Sequence, residues 1–237
     1  MKRDRYFYSV AGAMFLALTV IGFQRYIFGG RHADGSPIDP AMLAIVVAHS
    51  SAIFAWFVLF FVQSVLIASK NRKVHMKLGW SVLVIGTTIA VTGPLVAYRS
   101  IQVFPSQVVF DWPGPQFLLI MYSEIVLFVG FVAIGVLKRT RPRVHRPMML
   151  LASLSIVSGA TARIDLVNAM FGLHHWMAIF GPVFVLGVLL LLVRWALTRK
   201  LEREFAVGFA VFTVVTLAVG QAAQTDTWIR LAGMMLK

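Results

Sequence analysis

His75 and His145 sit 70 residues apart in matching basic junctions, and a pair of imidazoles is a donor set that holds haem iron. The first junction reads Arg72-Lys73-Val74-His75-Met76-Lys77 and runs into Leu78-Gly79-Trp80. The second reads Pro142-Arg143-Val144-His145-Arg146 and runs into Pro147-Met148-Met149. Each follows a long apolar segment, carries a cationic cluster and opens another apolar segment. The pattern predicts an internally repeated helical hairpin that presents one histidine at the same membrane depth each time. Neutral imidazoles from two such helices would each give one nitrogen to a six-coordinate iron. The basic neighbours Arg72, Lys73, Arg143 and Arg146 are placed to meet propionates. Two interfacial residues facing lipid phosphates would look the same, and both readings stand at this point.

A second set of candidates lies deeper. His49, Trp56 and Gln63 are spaced by seven and share one helix face. Glu124 falls about nine residues after Pro115, roughly 13 Å along its helix at 1.5 Å per residue, and His49 falls about as far after Pro40. Ionisable groups at such depth are costly and mark function by default. The spacing predicts a His49–Glu124 hydrogen bond, serving either an imidazole's orientation or the locking of two helices. His75, Gly79, Gly86 and Gly93 share a face whose glycines let a porphyrin or a neighbouring helix approach. His145, Met149, Ala152, Ile156 and Arg163 form a comparable face. At the outer surface Arg99, Arg163 and the pair His174-His175 are placed for Glu124, a propionate or an anionic substrate, or for plain anchoring in the interface. His32 reads as solvated.

The elements that position these residues follow from composition. The chain has 237 residues, 59% hydrophobic and 13% charged, and no cysteine; its mean hydropathy is +0.82. Soluble domains carry about 25% charged residues, so this is a multi-span membrane protein, and thiolate or disulfide chemistry is excluded. The formal net charge of +13 does not indicate nucleic acid. Of the 22 Lys and Arg residues, 16 fall at the N-terminus and in three alternate inter-span loops. That bias places the N-terminus and those loops in the cytoplasm and the chain in the inner (cytoplasmic) membrane, and anionic headgroups account for the excess.

We expect a single transmembrane domain over 1–237, all-α, with seven spans at about 6–27, 41–69, 77–98, 115–138, 147–164, 174–198 and 205–223. The first is read as an uncleaved span. Asp39-Pro40 is a helix start. The loop 99–114 is expected to lie on the interface or to cap the bundle, and 225–237 to form a short interfacial helix. The repeat relates spans two–three to four–five. Phosphate-binding glycine loops, HExxH helices and GxSxG elbows are absent from the sequence.

The stretch His49 to Gln63, then Arg72 to Gly79, then Arg141 to Met148, resembles uncharacterised bacterial multi-span proteins whose loops read His-Arg-x-Leu-Gly and His-Arg-x-Met. These are distantly similar to DUF2306-type and cytochrome b561-type membrane proteins. The resemblance covers about residues 45–165. It implies haem b at His75 and His145, electron transfer across or along the membrane, and a second haem involving His49. The chain departs from a two-haem pattern because span four carries Glu124 and no histidine, which would leave His174 or His175 as the partner. The sequence alone also admits a cofactor-free accessory or assembly subunit, and a small proton-linked transporter using His49 and Glu124. Expected partners are the lipid bilayer, other membrane subunits and a quinone.

Overall fold

Sequence signals account for where the helices start and stop. The structure, a computed structural model, describes residues 5–31, 37–105, 108–109, 112–171 and 175–236, with the backbone alone at 108–109 and 175–178. The elements in order are α1 (Phe7–Gly22), α2 (Gln24–Gly29), α3 (Pro40–Ala68), α4 (Arg72–Leu78) and α5 (Ser81–Val103). A two-stranded hairpin follows, β1 (Val108–Val109) and β2 (Trp112–Pro113), and then α6 (Gly114–Leu137) and α7 (Pro142–Ile156). The chain closes with α8 (Ser158–Thr161), α9 (Asp165–Phe171), α10 (His175–Thr198), α11 (Arg203–Ala222) and α12 (Asp226–Met235).

The Asp39 carboxylate accepts from the Ala41 N–H at 2.7 Å and Pro40 occupies the first turn, so α3 begins where the sequence predicts. It ends at Ala68, and Lys70, with a φ of 64°, turns the chain. There the Asn71 N–H bonds the Leu66 carbonyl and the Lys70 N–H bonds the Ile67 carbonyl, the double closure of a left-handed helix stop. Asn71 then caps α4, its side chain accepting from the Val74 N–H at 3.3 Å.

Among the described residues, five helices are long and apolar enough to cross a bilayer: α3, Arg72–Val103 as one unit, α6, Ile179–Thr198 and α11. A sixth arises if Pro142–Thr161 and Asp165–Phe171, bent by 96°, count together. The expected first span divides at Phe23 into α1 and α2. With 16 residues, α1 reaches about 24 Å, short of the ~30 Å hydrocarbon core. The expected fifth span starts five residues earlier than predicted, at Pro142, and turns sharply near Ala162 instead of running straight to Ile164. His75 lies within a short helix rather than before one.

The outside of the bundle is apolar. Val84, Val126, Leu137 and Val214 are each more than 60% exposed, which fits lipid and would be costly in water. The most enclosed element is α7: Leu150, Leu151, Ala152, Ser153, Leu154 and Ser155 are fully buried. It packs on α6, α11, α10 and α3, while α5 bridges α3 and α6. The terminal helix α12 is fastened by the Trp228 indole N–H, which donates to the Pro115 carbonyl at 2.8 Å. Trp112 of the β1–β2 hairpin is buried.

Candidate functional site

At one end of the bundle His75 and His145 come together. Each is the fourth residue of its helix, α4 and α7, and both are half-buried. Their ring centres lie 6.3 Å apart with the planes at 81°. Imidazole nitrogens bind metals at about 2 Å and a ring centre lies about 1 Å behind its nitrogen, so two rings sharing one ion have centres about 6 Å apart. The observed spacing matches that figure.

The tautomer of His145 follows from its partner. Nδ1 lies 2.8 Å from the Gly135 carbonyl oxygen at the end of α6. A carbonyl only accepts, so Nδ1 carries the proton and a neutral ring then offers the Nε2 lone pair. Metal-binding histidines are held in this way. On the other side, Nδ1 of His75 is buried without a hydrogen-bond partner, as are both polar atoms of the Gln63 side chain. Arg146 is within electrostatic reach of both imidazoles. The guanidinium of Arg139 lies over the Trp80 ring at 5.7 Å. Arg72, Lys73, Arg143 and Arg146 are exposed around the pair.

Two histidines alone do not make a zinc site, which takes three or four protein ligands. Among the described residues no group of three or more His, Asp or Glu side chains is placed to hold a metal ion. A haem brings its equatorial nitrogens with it and asks the protein for axial donors only. Two imidazoles are thus the donor count that a haem would ask of the protein and fewer than a bare cation takes.

The glycines do something else. A Cβ at Gly86 would stand 3.9 Å from Val132 and 4.0 Å from Trp56, ordinary contact distances. A Cβ at Gly79 would stand 3.6 Å from the Gln63 amide nitrogen. The expected porphyrin clearance along Gly79 and Gly86 is taken by neighbouring side chains, the common use of small residues between membrane helices.

The deeper stripe on α3 faces the interior as expected, yet each residue finds a different partner. Trp56, fully buried, donates its indole N–H to Ser153 at 3.1 Å and meets Phe128 edge-on at 4.7 Å. His49 Nδ1 lies 2.9 Å from the Thr92 hydroxyl, which gives its own hydrogen to the Thr88 carbonyl at 2.6 Å. The imidazole must then be the donor. Gly93 makes room for it: a Cβ there would lie 3.3 Å from the His49 ring and 2.6 Å from Ile125.

The predicted His49–Glu124 bond is not formed. Glu124 is buried and accepts from the Ser158 hydroxyl instead. Similar depth brought the two residues to the same part of the bundle, but each is turned to a hydroxyl on an adjacent helix. Arg163 is within electrostatic reach of both. Its guanidinium donates to the Gly159 carbonyl and lies 4.8 Å over the Phe23 ring. Arg99 bonds Gln102 at 3.2 Å rather than any candidate ligand. The side chain of His175, with His32 and His174, lies outside the described residues.

Thr92, Ser153 and Ser158 were not singled out in the sequence, whereas Gln63 was placed on the His49–Trp56 face. The one available signal was the run of serines at 153, 155 and 158, which falls across α7 and α8. Comparison with protein families, with curated proteins and with solved structures gives no match, so the site is read from its own chemistry.

Proposed function

We propose that this chain is a b-type cytochrome-like membrane protein in which His75 and His145 hold one haem iron between them. The single observation that carries the reading is the 6.3 Å separation of two imidazoles, one of them fixed through Nδ1 on the Gly135 carbonyl. A bound haem would supply one-electron chemistry to the membrane. The protein's part is to orient the two rings, to surround them with Arg72, Lys73, Arg143 and Arg146, and to keep water away with the apolar bundle above. Electron transfer then runs across or along the membrane, with a quinone or another membrane subunit as partner.

The reading includes seven spans with α1 and α2 as the first and the bent α7–α9 segment as the fifth. It has a cytoplasmic N-terminus in a bacterial inner membrane and a repeated hairpin ending at each histidine. Support comes from the cationic bias of alternate loops and from the shared fourth position of His75 and His145 in their helices.

The test is an absorbance spectrum of detergent-purified protein from haem-replete cells. A dithionite-reduced α band and Soret shift are expected, and His75→Ala or His145→Ala should each abolish the low-spin signal. A colourless wild-type protein refutes the reading. It would favour a cofactor-free accessory or assembly subunit, for which the filled glycine faces at Gly12, Gly86 and Gly93 speak.

A further inference from the structure

The corner around His75 holds a mismatch that the haem reading does not use. Gln63 projects from the last turns of α3 over Gly79, one helical turn beyond His75. Its amide oxygen and nitrogen are both buried and unpartnered, and so is Nδ1 of His75. The Gln63 main-chain carbonyl is close enough to act on the His75 ring as an acceptor, while Nδ1 has no partner at hydrogen-bond geometry. Three buried polar atoms without partners are costly, since each loses its water without replacement. An amide carries an acceptor and donors on one freely turned group, and its oxygen and nitrogen exchange places by a half-turn. An imidazole N–H is the complement of that oxygen.

We infer that Gln63 is the positioning residue for His75, its side-chain carbonyl accepting the Nδ1–H so that Nε2 is presented as the free donor. The arrangement mirrors the other side of the pair, where the Gly135 carbonyl holds Nδ1 of His145. Both rings would then face inward through Nε2, each steered by one carbonyl from the helix that precedes it. The remaining amide N–H groups of Gln63 stay available to a carboxylate or water at the same site. The inference rests on the proposed haem for its consequence at iron, but the tautomer it assigns to His75 does not need the haem.

Two readouts separate those layers. Nitrogen-15 NMR of histidine-labelled protein in bilayers should give His75 as one tautomer with Nδ1 protonated. Gln63→Leu and Gln63→Met should each release it to a mixture, and Gln63→Glu, which keeps an acceptor, should restore it. In the haem-loaded protein, removing such a supporting acceptor should weaken retention about 10–100-fold. Gln63→Leu should also raise the midpoint potential, and Gln63→Glu should lower it. Two apolar variants of different shape guard against a packing artefact, since both must act alike. Wild-type tautomer and haem affinity in Gln63→Leu would overturn the role of Gln63 while leaving the haem. A haem-free protein whose His75 tautomer still depends on Gln63 would do the reverse.

Discussion

Truncating Glu124 offers a direct measure of how the polar cluster around Ser158 is held. Glu124→Ala removes a buried carboxyl and leaves the Ser158 hydroxyl, 1% exposed, without its partner. An orphaned buried hydroxyl costs about 1–3 kcal/mol, and the vacated volume adds to it, as large-to-small core changes of 2–5 kcal/mol illustrate. A loss of about 2–4 kcal/mol is expected. Glu124→Gln keeps the volume and an oxygen acceptor and should cost less than about 1 kcal/mol, the value of a typical hydrogen bond. Ser158→Ala strands the carboxyl from the other side. In the double variant both orphans disappear together, so the two single losses should overshoot the double by roughly 1 kcal/mol. Hydrogen bonds between membrane helices average about 0.6 kcal/mol by this measure. The assay is reversible unfolding in mixed micelles followed by circular dichroism. Losses that add within about 0.5 kcal/mol would mean the two groups do not interact, and the reasoning from the Glu124–Ser158 bond would fail.

Gly22→Ala should be severe, because the new Cβ would lie 2.2 Å from the Ala160 backbone oxygen, and backbone cannot step aside; loss of folded protein on size-exclusion chromatography checks it. Gly93→Ala meets the tip of Ile125 at 2.6 Å and the His49 ring at 3.3 Å, so a cost of about 1–3 kcal/mol should be partly recovered by adding Ile125→Val, and a double variant no better than the single would count against it. Trp56→Phe removes the indole donor, but Ser153 keeps its bond to the Met149 carbonyl; a loss of about 1–2 kcal/mol is expected in unfolding experiments. Reporter fusions after residue 70 or 140 should read as cytoplasmic, and external signals there would reverse the orientation.

Most helices were legible because an apolar run flanked by cations is a strong signal, and Asp39-Pro40 marked a start to the residue. The histidine pair was legible for a related reason: identical placement after two basic turns puts two residues at one level. The His49–Glu124 pairing failed on a quantity that spacing does not carry. Depth is set by residue count, but contact also needs the rotation of each helix, and that is set by packing such as Gly93 against Ile125. The turn near Ala162 was hidden because Ser158-Gly159-Ala160-Thr161-Ala162 contains neither proline nor a charge. Gln63 was placed on the right face by its spacing, while its unsatisfied state depends on neighbours from another helix.

The 96° turn after Thr161 also has an electrostatic consequence. A helix that stops there turns its last carbonyls outward from the α7–α8 axis, the equivalent of about half a negative charge at that end. Glu124 hangs on the same terminal stretch through Ser158, so its carboxyl sits beside that helix terminus. Arg163, donating into the Gly159 carbonyl within reach of Glu124, is the counter-charge to both. Replacing it with methionine would leave the helix terminus and the Glu124 carboxyl without that guanidinium beside them.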